Sequence, residues 1–171
     1  PLKKIIYATK RVFAKPAFNP MVHFRVPSAE IEARLASVQD RIRKAGIDAL
    51  LIVQRVDLFY FSGTAQSGFL YIPDSDQATL FVRRYLPRAK QEASIETIVP
   101  IASVKELPPN IMEIYGALPK TCGMEFDVLP VRDFHYFKRI FKGVKLVDGS
   151  LHILATRQVK SSWELSQMEE T

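Results

Sequence analysis

The sequence predicts an α/β domain, and three observations carry the prediction. Ile31, Leu35, Val38 and Ile42 recur at helical spacing, and the apolar run Ile47 to Val53 follows at once. A helix with one apolar face next to a strand buried on both faces is the unit of a layered α/β structure. Residues 68–83 hold two apolar runs separated by Pro73-Asp74-Ser75-Asp76, the pattern of a β-hairpin. Short apolar runs then alternate with helical patterns as far as Thr156, without internal repeats.

The first helix opens at Pro27-Ser28, where Ser28 is placed to cap it and Glu30 and Glu32 suit its positive end. Arg34, Gln39, Asp40, Arg41 and Arg43 fall off the stripe and are expected in solvent, and Gly46 ends the helix. Arg55 to Phe61 is a short aromatic-rich turn or helix, stopped by Ser62-Gly63. Strands follow at Phe69 to Ile72 and Ala78 to Val82, a helix at Leu86 to Ala93, and a short strand around Ile98 and Val99. Pro108-Pro109 precedes a helix from about Asn110 to Gly116, with Ile111, Ile114 and Tyr115 on one face. Thr121 to Phe126 is a strand, Val131 to Phe141 a helix with Phe134, Phe137 and Phe141 at helical spacing, and Lys145 to Val147 a strand. Ser150 to Thr156 is a short helix. Ser161 and Glu164 then form the two ends of a capping box. The helix that this box opens has only Leu165 and Met168 as apolar anchors, so it is expected to continue into a second domain.

Composition excludes several classes. The 171 residues are 47% hydrophobic and 25% charged, a globular balance that rules out disorder, collagen and a disulfide scaffold. Cys122 is the only cysteine, so neither an intrachain disulfide nor a Cys-based zinc site can form. The longest aliphatic run, Ala49 to Val53, is far below the about 20 residues of a membrane span. The net charge is +6, but Lys3, Lys4, Lys10, Arg11 and Lys15 supply five of those charges, leaving +1 for residues 21–171. Residues 1–24 therefore form a basic leader or arm, and neither nucleic acid nor a membrane is expected as a partner of the body. With one cysteine and no export signal, the expected compartment is the cytoplasm.

No complete catalytic set appears. No serine lies in G-x-S-x-G, and Cys122 sits in an apolar strand pattern as a small buried hydrophobe. His23, His135 and His152 are scattered without metal-ligand spacing. Gly63 to Gly68 has the first spacing of a phosphate loop, but Phe69-Leu70 replace its Lys and Ser or Thr. Arg83-Arg84-Tyr85 and Phe137-Lys138-Arg139 pair bases with aromatics, each too short to be more than a solvated face.

Several segments, in order, are similar to one family. Ala45-Gly46-Ile47-Asp48-Ala49-Leu50-Leu51-Ile52 resembles the "aGlDaLLv" segment of the creatinase/prolidase N-terminal domain, and Tyr60-Phe61-Ser62-Gly63 its "YLtG". Gly68 to Ile72 and Ala78 to Val82 look like its glycine-led and "ptLfv" strands. Cys122-Gly123-Met124-Glu125 with Leu129-Pro130 is similar to "vGlE…lp". Arg157-Gln158-Val159-Lys160-Ser161 with Glu164-Leu165 is similar to "lR.iKs..Ei". Together they cover about residues 28–171.

The resemblance implies a mixed β-sheet flanked by helices, with ribonuclease H-like layering. It implies a domain over residues 25–158 and the start of a linker helix over 159–171. That linker leads toward a pita-bread domain of an Xaa-Pro dipeptidase or aminopeptidase P-like enzyme. There, two manganese or cobalt ions on Asp, His and Glu ligands cleave the bond before proline, by lowering the pKa of a water and polarising the carbonyl. The chain itself is expected to hold no catalytic residue, no metal ligand and no cofactor. It is expected to join a homodimer and to meet proline-containing peptides through the following domain. Asp57, Phe59, Tyr60, Phe61 and Gln66, around the glycine-bounded loop from about Gln54 to Gly68, are the candidates for dimer or substrate-rim contacts. Asp57 stands where many relatives carry Asn. The alternative is a non-catalytic protein- or peptide-binding module, like histone-chaperone or pseudo-peptidase relatives.

Overall fold

The computed structural model describes residues 25–169, and the basic leader lies outside them. The elements run α1 (Ser28–Lys44), β1 (Ala49–Ile52), α2 (Arg55–Ser62), β2 (Gly68–Pro73), β3 (Thr79–Val82), α3 (Leu86–Glu92) and β4 (Thr97–Pro100). They continue with α4 (Leu107–Tyr115), β5 (Thr121–Met124), α5 (Val131–Ile140), β6 (Lys145–Asp148), α6 (Ser150–Gln158) and α7 (Ser162–Glu169). None of the described helices is long and apolar enough to cross a membrane.

The six strands form one mixed sheet in the order β4-β3-β2-β1-β5-β6. β2 runs antiparallel to both β1 and β3; the β3–β4, β1–β5 and β5–β6 pairs are parallel. The sheet separates two apolar cores. Leu50 and Ile52 of β1 point into one, under α1, α2, α3 and α6; Ala49 and Leu51 point into the other, under α4 and α5. Alternation sends each strand's side chains to both cores, which is why Ile47 to Val53 is apolar almost throughout.

Three details differ from the sequence expectation. Ser28 is the first residue of α1 and makes no capping bond; Pro27 occupies the cap position. The inward stripe of α1 is Ile31, Arg34, Val38 and Ile42, with Leu35 half-buried at its margin. Arg34 is thus buried, not solvated, because it lies three residues after Ile31 and four before Val38. Finally, α4 begins at Leu107, and its prolines sit inside the first turn, where the missing N–H groups have no helical partner to lose.

Two glycines shape the loop between α2 and β2. Gly63 closes α2 with φ +81, its N–H donating to the Phe59 carbonyl at 2.8 Å. Gly68 starts β2 so close to β3 that a Cβ there would lie 2.2 Å from the Phe81 carbonyl oxygen.

Candidate functional site

The chain leaves β1 toward β2 and later returns to β1's other side as β5. The crevice between the carboxyl ends of β1 and β5 is therefore the switch point of the sheet, where open α/β folds take ligands, commonly an anion at a helix N-terminus. In this chain Glu125 occupies that place. Its Oε2 accepts from the N–H groups of Val53 at 2.6 Å and Gln54 at 3.1 Å. The Gln54 side chain accepts from the N–H groups of Val56 at 2.9 Å and Asp57 at 3.1 Å. The donors that open α2 are thus satisfied from within, by a carboxyl group where a bound anion would sit.

A second acid shares the space. Asp57, in the first turn of α2, is 5% exposed, and Glu125 is 2% exposed. The remaining Glu125 oxygen, Oε1, is buried and finds no donor. Burial pushes the Glu125 carboxyl up to about 8. The two backbone N–H groups oppose that rise, and the neighbouring Asp57 adds to it. A proton on Glu125 removes the repulsion and turns its contact with Asp57 into a hydrogen bond.

The counter-charge comes from 100 positions away. Arg157 of α6 donates through Nη1 to Asp57 Oδ1 at 2.8 Å. Its guanidinium also lies 5.9 Å from the centre of the Tyr60 ring. Arg34 lies over the same ring at 4.0 Å and donates to the Tyr60 carbonyl at 2.8 Å. Arg34 further pairs with Glu30 at 3.0 Å and with Glu164 of α7 at 3.2 Å, and lies 5.7 Å from the Trp163 ring centre. The Ser161–Glu164 capping box is present in both directions, at 3.1 and 3.0 Å. Two arginines and one tyrosine therefore clasp α6 and α7 to α1 and α2.

Of the sequence candidates, Asp57 and Tyr60 belong to this clasp. Phe59 is half-buried against the adjoining core, and Phe61 is fully buried within it, edge-on to Tyr60 at 5.0 Å. Gln66 lies apart, in the loop after Gly63. It donates to Glu92 Oε2 at 3.4 Å, beside Thr64, which donates to the same oxygen at 2.6 Å. Burial works to raise the Glu92 carboxyl, but these bonds and one from Arg88 outweigh it and hold it below the ordinary value. The loop is thereby stapled to α3. Sequence reasoning missed Arg34, whose signal was a charge on the apolar stripe. It also missed the role of Glu125, an acid closing an apolar strand run.

Among the described residues no three of His, Cys, Asp and Glu converge on a metal-sized site. The chemistry of the clasp is charge pairing between arginines and acids around one aromatic ring.

The model of the creatinase/prolidase N-terminal domain matches residues 34–159. The chain belongs to that family. A curated relative, the uncharacterized hydrolase/peptidase y4tL of Sinorhizobium fredii, is 27% identical over 163 residues, covering 84% of this chain and 42% of its own length. Among solved structures, an Xaa-Pro dipeptidase from Bacillus anthracis matches with TM-score 0.70 at 20% identity, covering 80% of this chain and 38% of that one. The N-terminal domain of the cytoplasmic peptidase PepQ from Mycobacterium tuberculosis H37Rv matches with TM-score 0.63 at 24% identity, covering 73% of this chain and 98% of that one. The structural likenesses are of fold. The mixed sheet flanked by helices is that of the creatinase/prolidase N-terminal domain, as the sequence motifs implied. This chain thus spans well under half of the curated relative and of the dipeptidase, and corresponds to the N-terminal domain of Xaa-Pro peptidase-like proteins.

Proposed function

We propose that this chain is the non-catalytic N-terminal domain of a metal-dependent Xaa-Pro dipeptidase or aminopeptidase acting in the cytoplasm. In this reading it mounts the catalytic domain, takes part in a homodimer and lends the segment from about Gln54 to Gly68 to the rim of the substrate site. The observation that supports it most is the clasp. The pair of buried Asp57 with half-buried Arg157, and the Arg34–Glu164 pair, hold α6 and α7 on the domain. A helix so held is a rigid bracket for a neighbouring catalytic unit. Two manganese or cobalt ions and their ligands belong to that unit.

The test compares the purified chain with the longer protein of which it is the N-terminal part. With manganese or cobalt added, the longer protein is expected to release proline from an Xaa-Pro dipeptide and the chain alone to release none. Proline release that tracks the isolated chain overturns the reading. So does a longer protein without metal-dependent release that binds an acidic partner in a salt-sensitive way, which is the behaviour of a binding module.

A further inference from the structure

A cavity of about 650 Å³ opens where β1 and β3 end and β2 begins, on the side of the sheet that carries α5. Its wall includes Val53 just beyond β1, Arg83 just beyond β3, and Arg132, Tyr136 and Arg139 of α5. These last three recur at spacings of four and three, so one face of the helix supplies them. The sequence presents Arg83 and Arg139 as parts of two unrelated basic–aromatic clusters; the fold brings both to one concavity. Its floor is apolar. Phe69 and Phe137 meet edge to face at 6.0 Å, and both are nearly buried.

The charges are unbalanced. Arg83, Arg139 and His135 line it together with Arg132, which is almost fully exposed, against one acid, Asp133, which Arg132 approaches at 3.6 Å. Among the described residues, the side chains of Arg83 and Arg139 make no ion pair, and Arg139 is held over the Tyr136 ring at 5.2 Å. Since residues 21–171 carry a net charge of only +1, this concentration of positive charge is local. Guanidinium forks entering from β3 and from α5 match the oxygens of a phosphate or carboxylate, and the aromatic floor matches a flat apolar body. The volume is that of a small-molecule site.

We propose that this cavity binds a small dianion carrying a planar apolar body, of aryl-phosphate chemistry. The site lies beside the opposite core from the α6–α7 clasp and is independent of any peptidase reading.

The probe is phenyl phosphate, titrated into the whole chain and followed by calorimetry and by amide NMR shifts. One-to-one, salt-weakened binding is expected, with shifts at Arg83, Tyr136 and Arg139. Benzyl alcohol, which has the ring without the charge, should not bind. Arg83→Gln and Arg139→Gln should each weaken binding roughly tenfold, the loss of one charge-assisted hydrogen bond, with an unchanged melting temperature. Asp133→Asn should tighten binding, which a merely structural role for these side chains does not produce. Absence of saturable binding overturns the proposal, as does equal affinity in the double arginine variant. A single-stranded oligonucleotide that binds the same residues while phenyl phosphate fails to displace it also overturns it, in favour of a nucleic-acid surface.

Discussion

The Glu125 carboxyl should make the domain less stable as the pH rises from acid to neutral. An ordinary glutamate titrates at 4.5, and burial carries this one to about 8. Because its folded-state value lies above the unfolded one, the folded protein holds the proton more tightly. The stabilisation is fully present below 4.5, drains away as the pH climbs, and is gone beyond about 8. At about 1.4 kcal/mol per pH unit, the loss across that window is on the order of 3–5 kcal/mol. With a urea dependence of roughly 2 kcal/mol per molar, the unfolding midpoint should fall by about 2 M. The assay is urea unfolding at a series of pH values, followed by circular dichroism. The partner experiment is Glu125→Gln. Its amide oxygen still accepts from Val53 and Gln54, its NH2 donates toward Asp57, and it has no proton to lose. The variant should match the wild type in acid, remain level through the window, and be the more stable protein at alkaline pH. Asp148, held low by hydrogen bonds from Ser150, titrates below this range and cancels between the two profiles. Asp57→Asn removes a lesser cause of the rise, so the midpoint of the decline should move toward acid yet stay above 4.5. Parallel profiles for wild type and Glu125→Gln would refute the reasoning, as would a wild type whose stability increases across the window.

Other substitutions probe the rest of the domain. Arg157→Ala strips the buried Asp57 carboxylate of its counter-charge and should cost about 3 kcal/mol, with Trp163 fluorescence reporting a loosened α7; Arg157→Ala combined with Asp57→Asn should recover most of the loss. Gly68→Ala drives a methyl group toward the Phe81 carbonyl, so β2 and β3 must part and the unfolding midpoint should drop by the equivalent of about 2 kcal/mol or more. Tyr85 holds φ +58 with its side chain 76% exposed, and Tyr85→Asn, better suited to that backbone, should raise stability by about 0.5–1 kcal/mol in the same urea assay.

Much of the fold was legible because its signals are local. The run Ile47 to Val53 announced a strand buried on both faces, and Pro73 to Asp76 announced the turn between β2 and β3. The Ser161–Glu164 box was visible from spacing alone and forms as read. Apolarity alone puts Leu35 on the α1 stripe, whereas Arg34 takes the inner position. Its charge is tolerable there only because Glu30, Glu164 and two aromatic rings surround it, and two of those partners lie at the far end of the chain. The same holds for the site. Asp57 and Tyr60 fall in the glycine-bounded loop after the first strand, but the acid that meets Asp57 comes from the end of β5 and the base from α6. No window along the sequence contains all three. Pairing across such separations is set by the sheet order, which local periodicity does not encode.

The distance in sequence between Asp57 and Arg157 has a consequence for how the domain is assembled. Strand β2 reaches β3 through a tight turn, but β1 waits for β5, and Asp57 waits longer still for Arg157. Until α6 arrives, the mouth of the β1–β5 crevice holds two acids and no base. A half-finished domain must leave that mouth open to water or keep an extra proton there. The charge that lets this part of the sheet close is therefore carried by α6, a helix from near the end of the chain. A chain that ends before residue 157 should therefore leave Asp57 and Glu125 facing each other without their arginine, an acidic seam rather than a smaller version of the finished fold.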